Sequence, residues 1–420
     1  MPALTMFHLA KTLSFGTPIL SIVIYCKNRK NLFSTHVQAA ENEMCLQQVQ
    51  VIFRHGARTP LVNLNYSYDI PNIEESIWDA ESLMQKNSKV DVRYKLMLDN
   101  GMEASKSEAE SVYLNRGTLR GGCYTGQLTA IGKEGMYNVG KLLAKEYIHK
   151  HDLISPVYSP TEVYVRSSNI KRTILSATSL LAGLYGKENI PEPVQMFTKP
   201  PTEEDIYPNW GQCNNLKIWA NYVMRNHDCL PGHKEDQEKI HKLIGGEDDK
   251  PLHFIALLDY IYCRKAHRIP IPLDLLAEEK LIVKRASELQ AHVIGGENNS
   301  MLACGIGSLI NTFCCRITEW INEPRESKLL LYSAHDTTLI AILNVLDVFN
   351  KQWPPFGSYL ALELYKRKDS KFFIRVVYNG EALIVDKEHG NEFIAVDKFL
   401  NLVGKYRVED WALTCGNKAP

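Results

Sequence analysis

Three short apolar runs along the chain each end in a cluster of reactive polar residues. The first is Val49-Gln50-Val51-Ile52-Phe53, with Val49, Val51 and Phe53 on one face of a strand, followed at once by Arg54-His55-Gly56-Ala57-Arg58-Thr59-Pro60. The second is Val163-Tyr164-Val165, followed by Arg166-Ser167-Ser168-Asn169 and then by Ile170, Ile174, Thr178 and Leu181 at helical spacing, with Ser168 or Asn169 as the expected cap. The third is Leu329-Leu330-Leu331-Tyr332, then Ser333-Ala334-His335-Asp336-Thr337, then a helical run through Leu339, Ile340, Leu343 and Leu346. Short, fully apolar strands alternating with amphipathic helices predict an α/β fold with a mostly parallel central sheet covered by helices on both faces. Ligands in such sheets bind beyond the carboxyl ends of the strands, which is where all three clusters lie.

A further helix is predicted from Thr129, as N-cap, through Ile131, Met136, Val139, Leu143 and Tyr147, with no chemistry of its own. The stretches 74–116 and 203–300 are richer in charge and weaker in strand pattern, and read as an inserted α-helical cap. The α/β core is then assigned to 42–73, 117–202 and 301–420, and 1–41 to a targeting segment. That leader has no Asp or Glu before Glu41 and carries Lys11, Lys27, Arg29 and Lys30, which predicts a mitochondrial address. A lysine ahead of the broken apolar run Leu13 to Cys26, with Asn-x-Ser acceptors at Asn65 and Asn298, keeps the secretory route as the alternative. No other run is long enough to span a bilayer, so no stable transmembrane span is expected.

Composition narrows the function. In 420 residues, 48 Lys+Arg balance 48 Asp+Glu, so bulk charge gives no reason to expect nucleic-acid binding. An anionic ligand would need arginines gathered at one pocket. Ten cysteines without a CxxC pair supply neither a dense disulfide scaffold nor a zinc spacing, and no metal is expected. Gly305-Ile306-Gly307 lacks the third glycine and preceding strand of a dinucleotide loop, so no cofactor is expected. His149, His151, His227, His233 and His241 are expected in solvent. Trp353-Pro354-Pro355-Phe356 reads as a rigid core turn rather than a ligand platform. Asp259, Cys263 and His267 fall near one helix face and read as structural.

The strand-end clusters point to phosphoryl chemistry. Arg54, Arg58 and Arg166 can surround a dianion with planar donor forks. An imidazole among cations resists protonation, so His55 keeps one ring nitrogen for attack on phosphorus, and the Gly56 carbonyl is expected to hold the other. His335 can face the phosphoryl oxygens, and Asp336 can protonate the leaving alkoxide and later activate water. A protonated carboxyl in the first step favours acidic pH, unless the pocket raises that pKa.

Arg54-His55-Gly56-Ala57-Arg58-Thr59-Pro60 resembles the RHGxRxP signature of the histidine acid phosphatases, and Ser333-Ala334-His335-Asp336 resembles their HD partner. Arg166 in Val165-Arg166-Ser167-Ser168-Asn169-Ile170-Lys171-Arg172 resembles the third phosphate-binding arginine of that family. The resemblance implies a histidine phosphatase-like α/β core with a helical cap, a phosphohistidine at His55, phosphate held by Arg54, Arg58, Arg166 and His335, and Asp336 as proton donor. Further matches, among them Thr118-Leu119-Arg120-Gly121-Gly122, Gly126-Gln127-Leu128-Thr129 and Tyr207-Pro208-Asn209-Trp210, resemble the members that act on lysophosphatidic acid. They imply a small-molecule phosphomonoester partner, a lysophospholipid, with monoacylglycerol and phosphate as products. Inositol phosphates or small soluble phosphomonoesters are the alternative substrates, and a phosphate-binding protein without turnover is a third reading.

Overall fold

The computed structural model describes residues 44–64, 77–85, 89–104, 117–226, 230–245, 253–324 and 327–416. The leader 1–41, Asn65, His227 and Cys229 lie outside the described residues. The chain from Cys45 onward forms one compact unit.

The apolar runs become the middle of a nine-stranded sheet. Its strands are β1 (Met44–Arg54), β2 (Tyr94–Met97), β3 (Val163–Ser167), β4 (Val194–Phe197), β5 (Leu329–Ala334), β6 (Tyr359–Arg367), β7 (Phe372–Tyr378), β8 (Glu381–Leu383) and β9 (Phe393–Ala395). The order is β2-β4-β3-β5-β1-β6-β7-β8, with β9 also paired to β7. Pairs β2·β4, β4·β3, β3·β5 and β5·β1 are parallel, whereas β6·β7, β7·β8 and β7·β9 are antiparallel. All of β5 is buried, as a strand covered on both faces must be. Each of its leucines gains roughly 1.5–3 kcal/mol from leaving water.

Register sets the functional end of the sheet. Arg54 pairs with Ala334 and Ser167 with Ser333, so the carboxyl ends of β1, β3 and β5 come level. Helix α1 (Ala130–Ala144) starts at Thr129, whose side chain accepts from Gly132 N as the sequence predicts, and runs on as a π-helical turn over Lys145–Lys150. Helix α2 (Lys171–Tyr185) follows β3, but Ile170 is its N-cap, with no side-chain capping bond. Ser168 turns instead toward His335, with Oγ 3.0 Å from Nε2.

Between β4 and β5 the described chain is helical: α3 (Asn214–Arg225), α4 (His233–Ile244), α5 (Phe254–His267), α6 (Glu279–Gly295) and α7 (Leu302–Asn322). Helices α8 (Asp336–Val345) and α9 (Val396–Gly404) complete the layers. The stretch 74–116 departs from the helical cap expected of it: its Tyr94–Met97 pairs with β4 and becomes an edge strand of the sheet. Four residues are too few for a strong alternating pattern, and charged neighbours mask them. His233 also departs from expectation. It is 1% exposed and packs edge-on against Phe254, with ring centres 5.0 Å apart, because α4 turns its first residue inward.

Cys213 and Cys415 form a disulfide, with the free thiol of Cys304 beside them. No single helix among the described residues is long and apolar enough to cross a membrane.

Candidate active site

The loop leaving β1 is buried from Arg54 through Pro60. Close backbone packing holds it: a Cβ on Gly56 would lie 2.2 Å from the Gly132 carbonyl oxygen, and one on Gly132 would lie 2.0 Å from that of Ala57. Only paired glycines let the loop rest on the first turn of α1 at this distance. Gly56 N donates to Ser176 Oγ of α2 at 3.0 Å, and Thr59 N to the Gln127 carbonyl at 3.0 Å.

His55 stands at the centre of this loop. Its Nδ1 lies 2.9 Å from the Gly56 carbonyl, which can only accept, so Nδ1 carries the proton and Nε2 keeps its lone pair. Burial holds its pKa well below the usual value, and Arg172, Arg54, Arg58 and His335 push in the same direction. The shift favours the neutral ring, as a nitrogen nucleophile requires.

Arg54 is 2% exposed and joins two distant segments. Its Nη1 donates to the Pro354 carbonyl, its Nη2 lies 2.6 Å from Asp336 Oδ2, and its Cζ lies 4.2 Å from the centre of the Phe356 ring. Phe356 also stands 5.9 Å, centre to centre, from His55. The Trp353–Phe356 turn is a core turn, as its sequence suggests, with Trp353 in the main apolar cluster, and it also borders the site. Trp353 is buried, and its Nε1 donates to Asp336 Oδ2 at 3.2 Å. Arg58 Nη1 lies 2.7 Å from Asp259 Oδ1. Burial is the largest influence and works against the Arg58 charge, but Asp259, Cys263 and Asp336 together outweigh it and raise the pKa. The Nε atoms of Arg54 and Arg58 are buried donors without a hydrogen-bond partner, the condition an anion would relieve.

The third arginine differs from the sequence expectation. Arg166 pairs in register with Phe197 at the end of β4, and the chain leaving β4 brings Glu204 and Asp205 to its guanidinium. Its charge is thus matched by carboxylates. Arg172, in the first turn of α2, faces the histidines: Nη2 lies 3.5 Å from His335 Nδ1, and after burial it contributes most to depressing the pKa of both His55 and His335. Sequence reading passed over Arg172 because it fell inside a helix and not in a strand-end cluster. Its one signal is a second cation beside Lys171 at the start of the otherwise apolar and hydroxyl positions of α2.

His335 completes the set. A guanidinium can only donate, so Nδ1 accepts from Arg172 and Nε2–H donates to Ser168 Oγ at 3.0 Å. The Tyr207 ring stands edge-on to it at 5.2 Å. Asp336 takes Thr337 N on Oδ1 at 2.8 Å and Arg54 with Trp353 on Oδ2. Burial would raise its pKa, but Arg54, Arg58 and His335 override burial and hold the carboxyl below its usual value. Three guanidinium groups, two neutral imidazoles and one carboxylate thus converge at the carboxyl ends of adjacent parallel strands. The arrangement can bind an anion, offer it a nitrogen lone pair and exchange a proton with it.

Comparison with known proteins agrees. The chain is 29% identical over 411 residues to lysophosphatidic acid phosphatase type 6 of Bos taurus, covering 94% of each, and 26% identical over 317 residues to prostatic acid phosphatase of Homo sapiens, covering 69% of this chain and 79% of that one. Its fold is similar to the apo phytase of Hafnia alvei, with a TM-score of 0.61 and 13% identity over 89% of this chain and 98% of that one. Residues 45–379 match the histidine phosphatase superfamily (branch 2), and the chain belongs to that family.

Proposed function

We propose that the protein hydrolyses phosphate monoesters through a phosphohistidine at His55. The observation that carries this reading is the neutral, buried His55, with Nδ1 committed to the Gly56 carbonyl and three arginines around its ring. Arg54, Arg58, Arg172 and His335 hold the phosphoryl oxygens, Arg172 taking the role first given to Arg166. The Nε2 lone pair attacks phosphorus, the P–N bond forms as the ester P–O bond breaks, and the departing oxygen takes a proton from Asp336. Water then attacks the phosphohistidine, Asp336 accepts its proton, and His55 leaves with its electron pair. The arginines neutralise charge on the transferring group.

The substrate we propose is lysophosphatidic acid, released as monoacylglycerol and phosphate. Support comes from the extent of likeness to lysophosphatidic acid phosphatase type 6, 94% of both chains. Phosphate release in the presence of chelator, from lysophosphatidic acid, an inositol polyphosphate and a small aryl phosphate, tests both parts. Preference for the lysolipid, lost in His55→Ala, is expected. Preference for the soluble esters would keep the mechanism and reassign the substrate.

For the address we propose the mitochondrion, from the acid-free leader. The Cys213–Cys415 bridge and the exposed acceptor Asn298 support the secretory alternative, since disulfides persist in oxidising compartments. Imaging a fusion of the first 43 residues to a fluorescent protein separates the two.

A further inference from the structure

Asp259 lies on α5, far in sequence from the loop after β1, and one carboxylate reaches that loop twice. Oδ1 takes Arg58 Nη1 at 2.7 Å, and Oδ2 takes the backbone N–H of Leu61 at 2.7 Å. One helical turn on, Cys263 Sγ lies 3.6 Å from the same Arg58 nitrogen. A further turn on, His267 Nδ1 donates to the Cys263 carbonyl at 2.7 Å, so its Nε2 accepts from the Thr129 hydroxyl at 2.8 Å. Thr129 N in turn donates to the Ala57 carbonyl. Asp259, Cys263 and His267 thus present one face of α5 to both flanks of the loop that carries His55.

The consequence falls on the Arg58 fork. A guanidinium has five N–H donors in one plane. Nη1 is committed to Asp259 and to the Thr59 carbonyl at 3.1 Å, while Nε is buried without a partner. Fixing one end of the plane fixes the direction of the other edge. A docking contact needs only one anchor between helix and loop, whereas this carboxylate holds side chain and backbone of the same loop together. We propose that Asp259 is a positioning residue that sets which edge of Arg58 meets the phosphoryl group. The proposal rests on the reading of Arg58 as a phosphate ligand. It assigns part of the helical insertion to the chemistry and not only to covering it.

Asp259→Asn keeps an oxygen for one N–H and removes the charge. It is measured with a small aryl phosphate as substrate and inorganic phosphate as inhibitor, alone and combined with Arg58→Ala. Misplacing a catalytic group by about 1 Å costs on the order of 100-fold, so kcat is expected to fall roughly 10- to 100-fold. The phosphate inhibition constant is expected to hold steady or tighten, since an anion has left the site. In the Arg58→Ala background the substitution should change kcat by less than about twofold, because the two residues act as one unit. Asp259→Glu keeps the charge and moves the carboxylate by one methylene, and is expected to lose kcat with the thermal midpoint preserved.

Wild-type kcat in Asp259→Asn, or equal losses in both backgrounds, overturns the proposal. So does weakened phosphate binding in step with a lowered thermal midpoint, the signature of lost docking. Arg58→Ala with wild-type turnover overturns the phosphate-site reading itself, an outcome seen without touching Asp259.

Discussion

Arg54 Nη2 and Asp336 Oδ2 stand 2.6 Å apart, joining the last residue of β1 to the first residue of α8 across the ends of two neighbouring strands. The proposed proton donor is therefore also an anion paired with one of the proposed phosphate-binding arginines. On the proposed mechanism phosphate and Asp336 compete for the same donor fork. Asp336→Asn should tighten inhibition by inorganic phosphate several-fold, because the competing charge is gone. The same variant should lose roughly 100- to 10,000-fold in kcat, the usual worth of a general acid. Inhibition and turnover measured on one preparation check both; weaker phosphate binding would refute the competition.

The split between Arg166 and Arg172 gives a second contrast. Arg172→Ala removes a donor facing the reacting group and should cost about 100- to 1,000-fold in kcat with the unfolding midpoint little changed. Arg166→Ala leaves the fully buried Glu204 without its cation, while Asp205 keeps Lys199, and should destabilise the fold by up to about 3–5 kcal/mol. Denaturant unfolding beside steady-state kinetics separates the two; the opposite pattern would return Arg166 to the phosphate site.

The pH dependence follows from the directions of the shifts. His55 and His335 are held neutral and add no ionisation near their usual value. Asp336 is held ionised above a depressed pKa, so the proton it gives away must arrive with the ester. A phosphate monoester loses its second proton near about pH 6. Turnover per enzyme at low substrate should be highest below about pH 6 and fall tenfold per unit above it, as the monoanion disappears. A loss of kcat/KM on acidification centred near about 6.5 would mean that a free-enzyme histidine titrates there, against the account.

The strands β1, β3 and β5 and their reactive ends were legible because each is a local signal: a short apolar run, then polar residues at once. His55, Arg54, Arg58, His335 and Asp336 come together as those runs foretold. Arg166 misled because it ends a strand, and only the return of the chain after β4 reveals its carboxylate partners. Trp353 and Phe356 were hidden for a similar reason. Arg54 reaches the Pro354 carbonyl 300 residues away, a contact no periodicity encodes. The antiparallel β6–β9 part of the sheet and the edge strand β2 likewise depend on pairing and not on pattern.

The central claim is a covalent bond from phosphorus to His55. Enzyme mixed with a radiolabelled phosphomonoester and quenched within milliseconds in alkaline denaturant, where a phosphohistidine survives, should carry label on the peptide containing His55. Acid should release the label, and His55→Ala should carry none while still binding inorganic phosphate. Label on another residue, or full turnover by His55→Ala, would contradict the account.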